Sequence, residues 1–421
     1  MASIFSKKIS RRVLRFLFWY SASAKVNWLM IRLAGLKNGR CSYCRKKWGV
    51  IQRFLKNLKA IDALTHCRTR ALGASYYRCK SNHAEIEQLH SCRHRSCYVC
   101  AHKQRLDWIE KQKARLLDVP HFHVIFTLPH EYLPLWRYNE ALFARILFKA
   151  SQETLLQMLA QQRHGGVTPG ILIALHTWGR QLTLHPHTHC LMTAGGLDSN
   201  NDWKALGHYL VPSTVIRSVY RGKLQSFIKA AFDAGELILP PTMSDSEFWP
   251  MYRSLYKKHW CVRIEERYAH GKGGPVDPRQ LKQITADVVK MSYLDHRDQR
   301  IKEQRLKPMD FIARLLQHVP PKGLHTIRYY GLYASASTLR YEQCRQECGT
   351  VESMPHASSV DRLSMVIYCK TCGGPAQLSR RWWSRRSKGI SINKEALSTC
   401  VSGSVQQVDE PLLAGGFYNT S

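Results

Sequence analysis

The chain has 421 residues with 63 Lys+Arg against 30 Asp+Glu, a formal net charge of +33 before any histidine protonates. A surplus of that size points to a polyanionic partner and argues against a small-molecule hydrolase, which has no use for positive charge spread along its whole length. The 44% hydrophobic and 10% aromatic content excludes disorder throughout and, at roughly 100–200 residues per domain, leaves room for about two to four folded units.

Residues 1–60 read as a basic N-terminal arm. Its apolar segment from Val13 to Leu33 is interrupted by Arg15, Lys25, Asn27 and Arg32, which rules out a membrane span, and it lacks the small-residue cleavage site of a signal peptide. The expected location is therefore cytoplasmic, in contact with the nucleoid. In a reducing compartment the 14 cysteines are more naturally metal ligands than disulfides. Residues 61–118 are dense in Cys and His and poor in aliphatics, as a small metal-stapled module would be. Its end, Arg105–Leu117, has Leu106, Ile109, Leu116 and Leu117 on one helical side.

The period then changes to two. His121–Leu128 alternates, with Phe122, Val124, Phe126 and Leu128 on one face and His121, His123, Ile125 and Thr127 on the other, which predicts a strand. A helix is predicted over Asn139–Gln162, and Gly165-Gly166 with Pro169-Gly170 breaks it before a strand at Ile171–Leu175. An extended segment from His185 to Met192 ends at Gly195-Gly196. A helix over Ser213–Ala234, strands at Cys261–Glu265 and Val288–Tyr293, and a helix over Asp310–Val319 complete an α+β domain spanning residues 119–340. Residues 341–375 form a candidate second Cys-rich zinc ribbon. Residues 376–421 are rich in Ser, Gly and Arg and are expected to be a poorly ordered tail.

Three constellations carry chemistry. The first is Cys79-x3-His83-x8-Cys92-x4-Cys97-x2-Cys100, with Cys67 upstream. Zinc takes four tetrahedral N/S ligands and a Cys-x2-Cys knuckle supplies two of them from one turn, so these five candidates compete for four positions. Cys97 and Cys100 lead, then Cys79 and Cys92, with His83 as ligand or neighbour. Arg93 and Arg95 lie between the ligands, where they would face a phosphate backbone. The second is His187-Thr188-His189. On a strand, residues i and i+2 share a face, so both imidazoles can grip one divalent ion, with Gln181 or a nearby carboxylate completing the set; Cys190 points to the opposite face, into the core. The third is Cys344-x3-Cys348 with Cys369-x2-Cys372, a candidate second zinc site for which free thiols are an equal alternative. An isolated Cys41-x-x-Cys44 pair cannot close a site alone. Arg380-Arg-Trp-Trp-Ser-Arg-Arg mixes cations with indoles, a composition suited to stacking on exposed bases.

Four ordered motifs together resemble the rolling-circle insertion-sequence transposases of the HUH-endonuclease superfamily. They are Ser91-Cys-Arg-His-Arg-Ser-Cys-Tyr-Val-Cys, Pro120-His-Phe-His-Val-Ile-Phe-Thr-Leu-Pro-His-Glu, His185-Pro-His-Thr-His, and Lys322-Gly-Leu-His-Thr-Ile-Arg-Tyr-Tyr-Gly-Leu, over about residues 60 to 335. The resemblance implies an N-terminal zinc-binding domain holding structural Zn2+, and a catalytic domain whose central antiparallel sheet carries the histidine pair with Mg2+ or Mn2+. It implies single-stranded or unwound element-end DNA as partner, and attack by a tyrosine hydroxyl on a DNA phosphate. His187 and His189 match the metal pair, and Arg328, in the last motif, is a further candidate DNA contact. The family's tyrosine helix does not carry over: the segment from Val262 to Gly273 runs straight into Gly274-Pro275-Val276. Tyr268, the nearest tyrosine and the candidate nucleophile, matches the segment before that helix, and Tyr293 matches a strand beyond it; each reads more readily as structural. A DNA-binding remnant without cleavage is accordingly the alternative expectation.

Overall fold

The computed structural model describes residues 57, 59–97, 100, 108–207, 211–265, 280–285, 287–295, 298–349 and 367–383. The basic arm up to residue 56, with Cys41 and Cys44, as well as Tyr268 and the tail beyond residue 383, lie outside the described residues.

The central sheet holds six antiparallel strands: β3 (His121–Thr127), β4 (Thr168–Trp178), β5 (Leu184–Leu197), β6 (Trp203–Ala205), β7 (Val262–Glu265) and β11 (Ile327–Gly331). Their order is β11-β4-β5-β3-β7, with β6 paired to the far end of β5. One face is apolar because the side chains alternate: Phe122, Val124 and Phe126 of β3, Ile171, Ile173 and Leu175 of β4, and Cys190 and Met192 of β5 are each at most 3% exposed. Helices α1 (Glu140–Leu159) and α2 (Ser213–Asp233) cover this face with Phe143, Leu147, Phe148, Tyr220, Leu224 and Ile228. A third helix, α3 (Asp245–Lys257), packs Phe248, Tyr252 and Leu255 into the same core, its start fixed by a Ser244/Glu247 capping box. The strands and helices expected in this region all form.

A close approach pins the sheet edge. Gly331 ends β11 at φ +58, opposite Gly170, and a Cβ there would fall 1.8 Å from the Pro169 carbonyl oxygen. No other residue type fits that backbone without displacing β4.

Two smaller units flank this domain. Strands β8 (Leu281–Ile284), β9 (Val289–Asp295) and β10 (Arg300–Leu306) form an antiparallel sheet, and Val289, Met291 and Leu306 pack with Phe311 of α4 (Pro308–Leu316) and with Leu182. At the other end, β1 (Ala74–Cys79) and β2 (Glu85–Leu89) form a hairpin in the Cys-rich module. Its sheet is completed by β12 (Ile367–Tyr368) and β13 (Pro375–Trp382), in the order β12-β13-β1-β2. Residues 376–382 were expected to begin a poorly ordered tail; they form a strand instead, because Ala376 to Trp382 run antiparallel to Cys79 to Ala74. The helix expected over Arg105–Leu117 is present over residues 108–113. Helix α5 (Thr338–Cys348) closes over a third small core with Leu117, Leu197, Leu332 and Tyr333.

Candidate metal centre and zinc module

The second face of the central sheet is a row of polar groups built by register alone. Within β5, His187 and His189 share this face. In β4, His176 stands directly opposite His187, and in β3, His123 lies diagonal to His189, whose direct partner is Ile125. Glu265 of β7 is directly opposite His123. Four strands thus line up Glu265, His123, His189, His187 and His176.

Hydrogen bonds fix the tautomers along this row. The Glu265 carboxylate only accepts, so at 2.9 Å it takes the Nδ1–H of His123. A neutral His123 then offers Nε2 as acceptor to the Nδ1–H of His189, 2.8 Å away. His187 donates its own Nδ1–H to the His185 carbonyl at 2.6 Å. Both rings are left with an Nε2 lone pair, and those two nitrogens face each other at 2.9 Å. Two lone pairs so close repel unless a proton or a cation lies between them. Ligands at right angles about a cation with 2.1 Å arms would stand about 3.0 Å apart, so the spacing suits an octahedral divalent ion. His176 brings a third nitrogen, all three falling within 4.8 Å of one another. The ring of His187 is nearly buried, at 9% exposure, so the groups that orient it are shielded from competing water.

Gln181 is not part of this cluster. It sits in the β4–β5 turn, where its side-chain amide donates to the Tyr293 hydroxyl at 2.8 Å and its carbonyl accepts from Arg314. The turn aims it at the small β8–β10 sheet, and the third nitrogen comes from His176 instead. Inward Ile171, Ile173 and Leu175 put His176 on the outer face, but it is the pairing of β4 with β5, seen only in the structure, that sets it beside His187.

The cysteines divide differently from the expected set. Cys67, Cys92, Cys97 and Cys100 converge, with sulfur separations of 3.3 Å for Cys67 to Cys100, 3.7 Å for Cys92 to Cys100 and 3.6 Å for Cys97 to Cys67. These exceed a disulfide bond of about 2.05 Å and approach the roughly 3.8 Å edge of a tetrahedron with 2.3 Å arms. Hydrogen bonding from Cys67 and its neighbours lowers the Cys100 thiol, while contact with Cys100 raises Cys92 and Cys97. Binding a dication would release the protons that the four thiols still carry. Cys79 and His83 lie apart from this group, beside Cys369 and Cys372. Cys344 and Cys348 join neither cluster: Cys344 is buried against Leu117 and Tyr333, its thiol pushed up to about 11 by burial, and Cys348 is raised for the same reason. Cys344 serves packing there.

The three arginines also part ways. Arg93 is exposed with a left-handed φ of 51°. Arg95 forks onto three carbonyls, donating to Leu324 at 3.1 Å, Pro320 at 2.9 Å and Pro321 at 2.7 Å, so its guanidinium joins the Cys-rich module to the segment before β11. Arg328 lies over the Phe148 ring, 4.6 Å from its centroid. Among the described residues, no helix is long and apolar enough to cross a membrane.

Comparison with known proteins agrees with this architecture. A family model described as "Transposase zinc-binding domain" matches residues 44–128, and one described as "Putative transposase" matches residues 170–340. Over 313 residues the chain is 32% identical to "Putative transposase y4qJ" of Sinorhizobium fredii (strain NBRC 101917 / NGR234), covering 69% of this chain and 78% of that one. Over 297 residues it is 30% identical to "Transposase for insertion sequence element IS801" of Pseudomonas savastanoi pv. phaseolicola, covering 66% and 70%. The chain belongs to the insertion-sequence transposases that carry a zinc-binding transposase domain.

Proposed function

We propose that this chain binds the single-stranded or unwound ends of a mobile element and cuts them by rolling-circle chemistry at the His176, His187 and His189 cluster. One observation carries this reading. The Glu265–His123–His189 chain and the His185 carbonyl turn the His187 and His189 Nε2 atoms toward each other at 2.9 Å on one sheet face, an arrangement that calls for a proton or a cation between them and that suits a divalent ion with His176 as third ligand. Mg2+ or Mn2+ held at these nitrogens would polarise a non-bridging phosphate oxygen as a Lewis acid. The protein's part is to hold the three imidazoles in place and to keep Nε2 unprotonated. A tyrosine hydroxyl attacks phosphorus, a Tyr O–P bond forms and the P–O3′ bond breaks. The departing oxygen takes up a proton as the free 3′-OH, and the 5′-phosphate stays on the protein. Tyr268 is the candidate for that hydroxyl. The four thiols of the module hold structural Zn2+, and the distributed positive charge neutralises the DNA backbone.

The full-length protein incubated with Mn2+ and labelled single-stranded element ends should form an adduct stable to denaturing electrophoresis, lost in His189→Ala. Salt-sensitive DNA binding with no adduct would overturn the cleavage reading and leave a DNA-binding remnant. Peptide mapping of the adduct to a tyrosine other than Tyr268 would reassign the nucleophile.

A further inference from the structure

The Cys79, His83, Cys369 and Cys372 group draws its members from opposite ends of the described chain. Cys79 ends β1 and His83 sits in the β1–β2 turn, where the Asn82 amide donates to the Cys79 carbonyl at 2.9 Å and the Cys79 amide to the Ala84 carbonyl at 3.1 Å. Cys369 and Cys372 lie in the β12–β13 turn. There the Gly373 amide donates to the Cys369 carbonyl and the Cys369 amide to the Gly374 carbonyl, both at 2.8 Å, with Gly373 at φ +67. This is a tight knuckle that turns two sulfurs to one side. Register places both turns at the same end of the four-stranded sheet, because Cys79 pairs with Ala376, which in turn pairs with Ile367.

The four ligand atoms lie within 4.8 Å of one another, with 3.5 Å from Cys79 Sγ to Cys372 Sγ and 3.8 Å from Cys79 Sγ to His83 Nδ1. Those separations again suit a tetrahedron of about 2.3 Å arms and exceed a disulfide bond of about 2.05 Å. The packing available at this end is too small to hold it without help. Only Tyr77, Ile367 and Ala376 are buried in the local apolar cluster, and β12 is two residues long. A sheet that borrows strands across 293 residues of sequence with so little core needs a cross-link of another kind.

We propose that Cys79, His83, Cys369 and Cys372 form a second structural zinc site that clasps the C-terminal β12–β13 hairpin onto the N-terminal module. Three thiolates and one imidazole in tetrahedral array select zinc over Mg2+ or Mn2+, which take oxygen-rich octahedral sites. The zinc-binding domain is then built from two distant segments, each turn giving two ligands. Its fourth strand also places Arg380, Arg381 and Trp382 on the module's sheet, while the Trp383 ring lies against that of His90, tilted by 38° with centroids 4.0 Å apart, two residues before Cys92.

The test uses the full-length protein and the metals alone. Cobalt(II) exchanged for zinc gives a sulfur-to-metal charge-transfer band that the three-histidine cluster cannot produce, so titrating that band counts thiolate sites. The wild type and Cys348→Ser should each bind two equivalents of thiolate-held metal. Cys372→Ser should bind one, Cys372→His should restore the second with altered band intensity, and limited proteolysis should release the C-terminal strand only in Cys372→Ser. A wild-type protein that binds one equivalent, or a Cys372→Ser variant that still binds two, would overturn the assignment. Loss of both equivalents in Cys372→Ser with two restored in Cys372→His would still support it, as global unfolding rescued by ligand replacement.

Discussion

Replacing His123 by leucine removes the middle of the Glu265–His123–His189 chain without touching a nitrogen that faces the proposed cation. His123 is 4% exposed, so an apolar side chain of similar bulk is tolerated there and the sheet should stay folded. The loss falls on His189. Its Nδ1–H no longer has the acceptor 2.8 Å away, the ring is free to rotate or to move its proton to Nε2, and the lone pair turned toward His187 is no longer enforced. Partners of this kind behind metal-binding histidines are worth about 10- to 100-fold in affinity, or about 1.4–2.7 kcal/mol. Glu265→Gln should cost less, because the amide can accept or donate and leaves the tautomer undecided, while Arg263, 2.9 Å from Glu265, loses its counter-charge. Mn2+ titration followed by calorimetry and by the electron paramagnetic resonance of free Mn2+ measures the change, and nitrogen NMR of the imidazoles reads the tautomer directly. Mn2+ affinity within twofold of wild type in a folded His123→Leu variant would refute the relay.

His318 provides a pH dependence. Burial holds its imidazole down to about 4, beside Thr177 and the Leu182 carbonyl, against an ordinary value near 6.5. The folded state keeps it neutral while the unfolded chain takes up a proton, so its contribution is complete above about pH 6.5 and is lost as pH falls through 4, about 3 kcal/mol at 1.36 kcal/mol per unit. Urea midpoints between pH 4 and 7 should fall more steeply for the wild type than for His318→Gln, and parallel slopes would exclude this residue as the cause. Arg95→Ala should speed amide hydrogen exchange around residues 319–325 and leave the salt dependence of DNA binding unchanged, because its guanidinium is engaged by three backbone carbonyls. A slope of log K against log[salt] reduced by about 0.7 would mean that it neutralises a phosphate after all.

Local periodicity made most of the central domain legible. The alternation in His121–Leu128 placed Phe122, Val124 and Phe126 inward and His123 outward, and the i, i+2 rule placed His187 and His189 together. Strand pairing was not legible, and pairing is what brings in His176 and Glu265, 11 and 78 residues from His187. Gln181 looked suitable because it is close in sequence, but turns redirect side chains and the β4–β5 turn aims it at Tyr293. The zinc ligands failed for the same reason on a longer scale. Dense spacing favoured Cys79 and His83 as partners of Cys97 and Cys100, whereas the hairpin carries them to the opposite end of a sheet whose other half comes from residues 367–382. Helix α3 went unread because Pro250 lies inside it, although its Ser244/Glu247 capping box was present in the sequence.

The Cys-rich module is also continuous with the central sheet that bears the histidines. Cys92 and Cys97 bracket Arg95, whose guanidinium holds the carbonyls of Pro320, Pro321 and Leu324. Two residues beyond Leu324, the Thr326 carbonyl accepts from the Leu175 amide at 2.7 Å, and β11 then pairs with β4, Ile327 opposite Ala174. Leu175 immediately precedes His176. Every link in this path is a backbone hydrogen bond, a charge-assisted hydrogen bond or a covalent neighbour, so the four-thiol cluster and the three-histidine cluster are placed relative to each other by stiff elements. Under the proposed function, DNA held by the module's cations would be presented at a set distance from the histidines, and positioning of that kind is the larger part of what a phosphoryl-transfer site supplies. The positive charge of the chain is therefore only partly available to DNA. Arg95, though exposed, is used to hold the frame, and Arg380 is engaged by Glu85 at 3.2 Å, so the proposed phosphate contacts fall to other exposed cations such as Arg93 and Arg381.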